Sequence, residues 1–501
     1  MKKASILVVA GAALAIGYAA GRTGHPGPGA ASAPPQAAAP PAAPAAAEVE
    51  LGQVAAIENP HTGRVLTVEP GGSIQQAVSA AQPGDTIRVR PGTYHETVYV
   101  DKDGIALSGS IEAGQWPVLD GEGTRNDAIL YSGNGITVEN FEITHYKGNG
   151  VMGQAGNNFV IRNNRISDSG VYGIFPEFGK NGLVTHNVLT GIADAAIYIG
   201  MSDNVHVASN EVYGNVAGIE VENSRHVIVE NNYAHDNTAG ILAFITPGLP
   251  IKTAYDVIVR NNFVIGNNHP NFGAAGSIVA GVPAGTGILV MAADDVAIEG
   301  NVIAGHDNFG ILVTDHGHAT NLTLDPESDP SPDRVAILDN LMFGNGDRPM
   351  PELRALLLTR LETRGPDILR VGESRESCIL HPEHQRTVGL DGFGPCARTT
   401  TAATRTYLLP KPVEPRQIAA SERGKQVYFA ICAGCHAYNV RMIGPPTEAI
   451  QALYLDDPQG IADYIAKPVK KRPDYPEMPP QGYLDAPTRR AVAEYMLGTT
   501  K

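Results

Sequence analysis

An asparagine that returns at a near-constant interval of about 22 residues constrains this chain more than any other feature. Short alternating segments such as Phe159-Val160-Ile161-Arg162-Asn163-Asn164 and Val227-Ile228-Val229-Glu230-Asn231-Asn232 end at the same slot. The slot falls at Phe141, Asn164, Asn187, Asn210, Asn232, Asn262, Asn301 and Asn340, and Phe141 is the one departure from asparagine. The first three intervals are identical, and the fourth, from Asn210 to Asn232, is one position shorter. A second marker runs in phase: Gly150-Val151, Gly173-Ile174, Ala196-Ile197, Gly218-Ile219, Gly240-Ile241, Gly287-Ile288 and Gly310-Ile311.

A fixed period of this length, with two or three short strands per repeat, specifies a parallel β-helix. One turn cannot bury its apolar face. Turns stacked about 4.8 Å apart bury a continuous apolar column. The asparagines are expected to turn inward at each bend and hydrogen-bond to one another and to backbone. Leucine-rich repeats have a similar period, but their Leu-x-x-Leu-x-Leu core is missing. Insertions at about 266–285 and 324–333 break the period and are expected as loops on one face. The run from Ser73 to Tyr94, with Ser73 as N-cap of a short helix over 74–81, resembles the N-terminal cap of pectate-lyase-like right-handed β-helix proteins. That resemblance covers roughly 65–347 and implies a mainly β fold. It does not fix an activity, because the fold hosts lyases, hydrolases, epimerases and non-enzymes.

The tail carries a different signature. Cys432-Ala433-Gly434-Cys435-His436 has the spacing of c-type haem attachment. Each thiol adds to one vinyl group, and the next residue puts an imidazole nitrogen on the iron. A structural zinc pair would want a second Cys/His pair nearby, and a thioredoxin-like motif would want a βαβ setting; neither is visible. Residues 417–501 resemble a small all-α class I cytochrome c, with helices expected at about 421–431, 459–465 and 486–497. In that family a Gly-Pro, here Gly444-Pro445, often supplies a carbonyl for the axial imidazole Nδ1–H. The resemblance implies one covalent haem c on Cys432 and Cys435, with iron held by His436 and Met478. Met478 sits in the Pro-rich loop before the final helix. Met442 is too close to His436 in sequence, Met496 is expected in the core, and Met350 lies outside the domain. A His/Met pair suits electron transfer and leaves no open position at iron.

The remaining features bear on compartment and partners. Lys2-Lys3 followed by the small apolar run Ala4 to Ala20 reads as a Sec export signal over 1–22, with an uncleaved inner-membrane tether as the alternative. Residues 23–50 form a Pro/Ala-rich spacer. A periplasmic or other extracytoplasmic location follows, and it permits a disulfide between Cys378 and Cys396. We place the β-helix at 51–348. A helix near 351–363 and an irregular connector occupy 349–416, and the cytochrome domain spans 417–501. The net charge of −15 argues against a nucleic-acid partner. Residues 421–501 carry ten Lys or Arg against nine Asp or Glu, so the acidity belongs to the rest. The local run Lys467, Lys470, Lys471 and Arg472 would suit an acidic redox partner or the acidic β-helix itself.

Chemistry on the β-helix is the least determined part. Outward positions after the Gly-Ile marker give Phe175, Glu177, Tyr198, Glu220 and Glu222. Positions before it give His145, Tyr146, Asp168, Asp194, His235 and Asp236, with His145, Asp168 and His235 expected in one stripe. Of these, Tyr198, Glu177, Glu220, His235 and Asp236 are the catalytic candidates. Further along, His306 and Asp307 are also candidates, and Asp315-His316-Gly317-His318 could bind a metal if another turn supplied ligands. Two functions compete. One is an exported electron-transfer cytochrome whose β-helix binds a partner, a polysaccharide or another ligand. The other is a carbohydrate-active β-helix enzyme, a lyase or epimerase, coupled to a haem module. Few positive residues accompany the markers, which fits a uronate substrate poorly.

Overall fold

The computed structural model describes residues 57, 59–319, 322, 324–414, 422–433, 435–439, 441, 443–475, 478, 480–482 and 484–500. The export signal and spacer expected at 1–22 and 23–50, and the positions of Gly434 and Met442, lie outside them. Among the described residues no helix is long and apolar enough to cross a membrane.

The repeat coils into three sheets, of thirteen, eleven and ten strands among the described residues. Consecutive strands of one coil go to different sheets, so each strand pairs in parallel with its counterpart one turn away. The Gly-Ile marker is the register mark of the eleven-stranded sheet. Val151, Ile174, Ile197, Ile219, Ile241, Ile288 and Ile311 stack in one column, all fully buried. Burying each such side chain is worth about 1.5–3 kcal/mol. β-branched residues fit the pleat because their χ1 is already restricted.

The asparagine slot forms a hydrogen-bonded ladder. The Nδ2 group of Asn164 donates to Asn187 Oδ1 at 3.0 Å, and the same bond repeats to Asn210, Asn232, Asn262, Asn301 and Asn340 at 2.9–3.0 Å. Each Oδ1 also accepts the backbone N–H of the slot one turn earlier, as Asn232 does from Asn210 at 2.9 Å. The residue before the slot has positive φ in several turns, for example Asn163 at 51° and Asn231 at 56°. That bend exposes the backbone groups the carboxamide then satisfies. Phe141 lacks the carboxamide, so the ladder begins at Asn164, whose Oδ1 accepts the Phe141 N–H at 3.1 Å.

A helix closes the N-terminal end of the column. Helix α1, Ile74–Ala80, buries Ile74 and Val78, and Ser73 Oγ accepts from Gln76 N–H as an N-cap. Helix α2, Pro351–Thr359, is shorter than expected, with Leu353 and Leu357 buried. The solenoid does not stop at 348. Ile368–Val371, Cys378–Ile379, Thr387–Val388 and Gly394–Pro395 continue two of the sheets in register. These strands are mostly two residues long and lack the asparagine slot; in the coil at Cys378, Ser377 Oγ accepts the Val335 N–H. The disulfide joins Cys378 to Cys396 across this last coil.

The irregular connector is a strap. Thr400 and Thr401 donate to Glu299, and Tyr407 O accepts from Asn204 at 2.8 Å. Leu409 N–H then donates to Asn181 Oδ1 at 2.9 Å, and Val413 N–H to Asn158 Oδ1 at 2.8 Å. The chain thus runs back along the solenoid and delivers the C-terminal module to its earlier turns. In that module α3 is Arg423–Val427, continued by a π-helical turn Tyr428–Cys432. Helices α4, Thr447–Tyr454, α5, Pro458–Ala466, and α6, Ala486–Gly498, follow. Helix α4 is additional to the three helices expected there. Gly424 lets α3 cross α6 closely, since a Cβ there would lie 2.1 Å from Ala491 O.

A second ladder contains a histidine. His306 stands between Asn267 and Asn345: Asn267 Nδ2 donates to His306 Nε2 at 3.1 Å, and His306 Nδ1 donates to Asn345 Oδ1 at 2.9 Å. This pattern admits only the neutral ring, and burial pushes its pKa from 6.5 down to about 4. Between those values the unfolded chain binds a proton that the folded chain refuses. Stability should therefore be complete above about pH 6.5 and fall by roughly 3 kcal/mol as the pH drops to about 4. His306→Asn, which restores the ladder, should move the acid-unfolding midpoint to lower pH in a circular dichroism titration; an unchanged midpoint would refute this account.

Candidate functional site

The haem-attachment segment is built by the α3 extension. Cys432 is buried and Cys435 half-buried, and neither forms a disulfide. His436 is buried, and its Nδ1 donates to Pro445 O at 2.7 Å. The bond expected from the Gly444-Pro445 pair is present. It fixes the tautomer and leaves Nε2 for a metal. Gly444 makes room: a Cβ there would lie 2.4 Å from His436 Cε1 and 2.7 Å from Nδ1. Tyr428 OH donates to His436 O at 3.0 Å and sits 2.8 Å from Thr447 Oγ1, tying the segment to α4. Met478 is half-buried and packs against the main apolar core, while Met496 is core within α6. Unpaired thiols, an oriented imidazole, a thioether and an apolar lining fit a haem.

The module is seated on the solenoid. The Tyr428–Cys432 turn packs against strands Ile129–Tyr131 and Val151–Gln154 of the eleven-stranded sheet. Phe429 meets Phe178 edge-on at 6.1 Å, and Arg423 reaches Asp101 at 3.8 Å. Cys435 lies within electrostatic reach of Asp127, Glu177 and Tyr172.

Beneath it the outward positions of that sheet are buried rather than exposed. Glu177 is 1% exposed, Glu220 3% and Tyr198 3%. Tyr172 stacks on Tyr198 at 4.4 Å, with Phe175 packed against both rings. Asp127, Glu177, Asp194, Glu220 and Glu222 share this face, and among the described residues none of the five pairs with Lys, Arg or His. Burial pushes Glu177 well above the usual carboxylate range, and the Glu222 charge adds to it. Burial likewise raises Asp194 and Glu220, with Glu222 adding at Asp194 and Asp194 at Glu220. Glu222 is pushed up to about 7 by burial. Gln154 Nε2 donates to Glu177 Oε2. Glu177 Oε1, Gln154 Oε1 and Tyr131 OH are buried without a hydrogen-bond partner. At neutral pH such a face holds protons. Tyr172, Asp127 and Asp194 complete it. No sequence signal marks Tyr172, which precedes the Gly-Ile marker.

The other candidates lie elsewhere. His235 is on the ten-stranded sheet, between the rings of Tyr213 and Tyr233, and it pairs with Asp236 at 2.7 Å and Glu211 at 3.3 Å. The expected stripe is one residue out. His235 is in register with Tyr213, Thr190 and Ser167, because it stands three positions after its slot Asn232, whereas His145 and Asp168 stand four positions after Phe141 and Asn164. Asp236, not His235, takes the phase of His145 and Asp168, all three at positive φ. Structure therefore separates His235 and Asp236 from Glu177, Tyr198 and Glu220. Asp315 caps the turn His316–His318 and bonds His318, while His316 Nε2 donates to Ile245 O. Those groups are spent locally. Trp116 is covered by Arg165 at 4.4 Å.

Residues 127–247 match the family described as right handed beta helix region, and residues 419–496 match cytochrome C oxidase, cbb3-type, subunit III. The chain joins a right-handed parallel β-helix to a c-type cytochrome domain. The second match implies haem binding. No curated protein matches the chain. Among solved structures it is similar to the Azotobacter vinelandii mannuronan C-5 epimerase AlgE4 A-module (14% identity, 63% of this chain and 85% of that one, TM-score 0.41). It is also similar to an alginate lyase from Paenibacillus sp. (14%, 63% and 94%, 0.36) and to a Yersinia enterocolitica family 28 exopolygalacturonase (12%, 66% and 77%, 0.41). These likenesses transfer no activity.

Gly444→Ala should push the imidazole off the Pro445 carbonyl. The His436 Nδ1–H proton should then exchange with solvent faster by NMR, with the β-helix circular dichroism unchanged. An equal exchange rate would show that the close approach of Gly444 is immaterial.

Proposed function

We propose that this chain is an exported monohaem c-type cytochrome that transfers electrons. Cys432 and Cys435 hold the haem covalently, and His436 and Met478 ligate its iron. The observation that carries this reading is the His436 Nδ1–H bond to Pro445 beside two unpaired cysteines. The haem supplies one-electron chemistry. The chain's own residues orient the imidazole through Pro445, line the site with apolar side chains, and seat the attachment segment on the buried carboxyl face.

An acidic periplasmic redox protein is the proposed partner. Lys467, Lys470, Lys471 and Arg472 are exposed, and Lys471 and Arg472 stand over Tyr464 and Tyr475. Among the described residues the ion pair between module and solenoid uses Arg423 instead, and Arg472 pairs with Asp474, which leaves Lys467, Lys470 and Lys471 for an outside partner. The carbohydrate reading is weaker, because Glu177, Tyr198 and Glu220 are covered and a polymer has no access to them. What favours a coupled role for the β-helix is the closeness of Glu177 and Tyr172 to the Cys435 environment.

Protein purified from a host competent for cytochrome maturation should give one haem per chain in an alkaline pyridine spectrum. Cys435→Ser should lose covalent attachment. Met478→Ala should lose the sulfur–iron charge-transfer band. A colourless product with alkylatable Cys432 and Cys435 would overturn the proposal.

The buried carboxyls add a pH signature. As pH rises through about 7, Glu222 loses its proton, and the new negative charge favours ferric iron. The midpoint potential should fall across this window, by up to about 59 mV per pH unit for one linked proton. Glu222→Gln should flatten the slope; a pH-independent potential in the parent protein would exclude the linkage.

A further inference from the structure

The last coil carries a cluster that neither the haem site nor the solenoid ladder uses. His381, Glu383 and His384 flank and form the short turn Pro382–His384. They lie inside the loop closed by Cys378 and Cys396, which are 18 residues apart. His381 Nδ1 is 3.3 Å from Glu383 Oε1, and His384 Nε2 is 3.8 Å from the same oxygen. The two imidazole rings stack at 5.2 Å, and one ligating atom from each of the three residues lies within 4.8 Å of the others.

Bonds of about 2.0–2.2 Å in a tetrahedral zinc site put neighbouring ligand atoms about 3.3–3.6 Å apart. The two histidine–glutamate edges are already near that separation. Only the edge between the histidines must close, and exposed side chains can do so by small rotations. The backbone arranges this. His381 has φ 51°, in the left-handed region that costs a residue with a Cβ, and this bend turns its ring back over the following turn. A second observation concerns the neighbourhood. Gln385, Asp339 and Asn340 line one small depression with His381 and His384, and the buried Gln385 Oε1 has no hydrogen-bond partner. A water bound to a metal needs such an acceptor.

We propose that His381, Glu383 and His384 form a divalent transition-metal site of the two-histidine, one-carboxylate class, selective for zinc among the non-redox ions. The donor set matches borderline-soft ions rather than calcium or magnesium, which want all-oxygen shells. Three protein ligands leave the fourth position to water.

The test uses the full-length haem-loaded protein stripped with a chelator. Titration with Zn²⁺ alone in a calorimeter should give one equivalent bound. His381→Ala, Glu383→Gln and His384→Ala should each weaken it about tenfold or more, whereas His269→Ala, at a histidine elsewhere, should leave it unchanged. All three positions are exposed, and the circular dichroism and haem spectra check that folding is intact. Cu²⁺, which such donor sets bind more tightly, serves as a spectroscopic probe and should report two nitrogen ligands. Absence of a Zn²⁺ equivalent, binding indifferent to the His381→Ala and His384→Ala changes, or a single nitrogen on Cu²⁺ would overturn the site. Under those outcomes the three residues are a surface ion-pair cluster.

Discussion

The turns from Asn164 to Asn340 leave a bent backbone inside the protein, and the slot carboxamide meets its hydrogen-bonding needs there. Asn210 illustrates the arithmetic. Its Oδ1 accepts both the backbone N–H and the Nδ2 group of Asn187, and its own Nδ2 donates to Val184 O and Asn232 Oδ1. A buried polar group left alone costs about 1–3 kcal/mol, so a repeat without the carboxamide would lose much of what its isoleucine contributes. The ladder also fixes register. A one-residue slip would turn the Ile197 column outward and break every rung at once.

The same repeat sets the position of the haem module. Asn158, Asn181 and Asn204 recur one turn apart on positive-φ positions, and their side chains accept or donate along the strap from Tyr407 to Val413. A Pro-rich connector that would otherwise wander is held by a row of identical groups at the solenoid's own spacing. The strap ends beside the strands against which Tyr428–Cys432 packs. Module placement is thus a consequence of periodicity in the β-helix, not of a dedicated linker.

Most of the solenoid was legible because its signals are local and repeated: the slot, the Gly-Ile marker, the Ser73 cap. The haem motif was legible because covalent chemistry fixes its spacing. Three things were not. The coils beyond 348 use strands mostly two residues long and carry Pro382 where the slot asparagine would stand, so no periodic mark survives. The phase of His235 against Asp236 turns on counting from the slot, three positions after Asn232 against four, and a period-2 structure converts one residue into the opposite face. The burial of Glu177, Tyr198 and Glu220 was invisible because a strand pattern says which way a side chain points, not what arrives later in the chain to cover it. Asn158, Asn181 and Asn204 did carry a signal, their common spacing, but for Asn181 and Asn158 its meaning lay in a strap 228 and 255 residues away.

The covered carboxyls set an electrostatic problem of their own. Four unpaired charges in a dry face, Asp127, Glu177, Glu220 and Glu222, with the half-buried Asp194 beside them, would cost more than a domain's whole stability of about 5–15 kcal/mol, so protons must stay on most of them. A unit charge change about 10 Å away, at an effective dielectric of about 20, is worth roughly 1.7 kcal/mol, or a little over one pKa unit. In bulk water the same change would be worth about 0.4 kcal/mol and would be screened further. Burial is therefore what makes such a face responsive. On an open surface a charge change nearby would be screened; at Glu177, 1% exposed, and Glu222, 6% exposed, it acts at a scale that decides whether a proton stays or leaves.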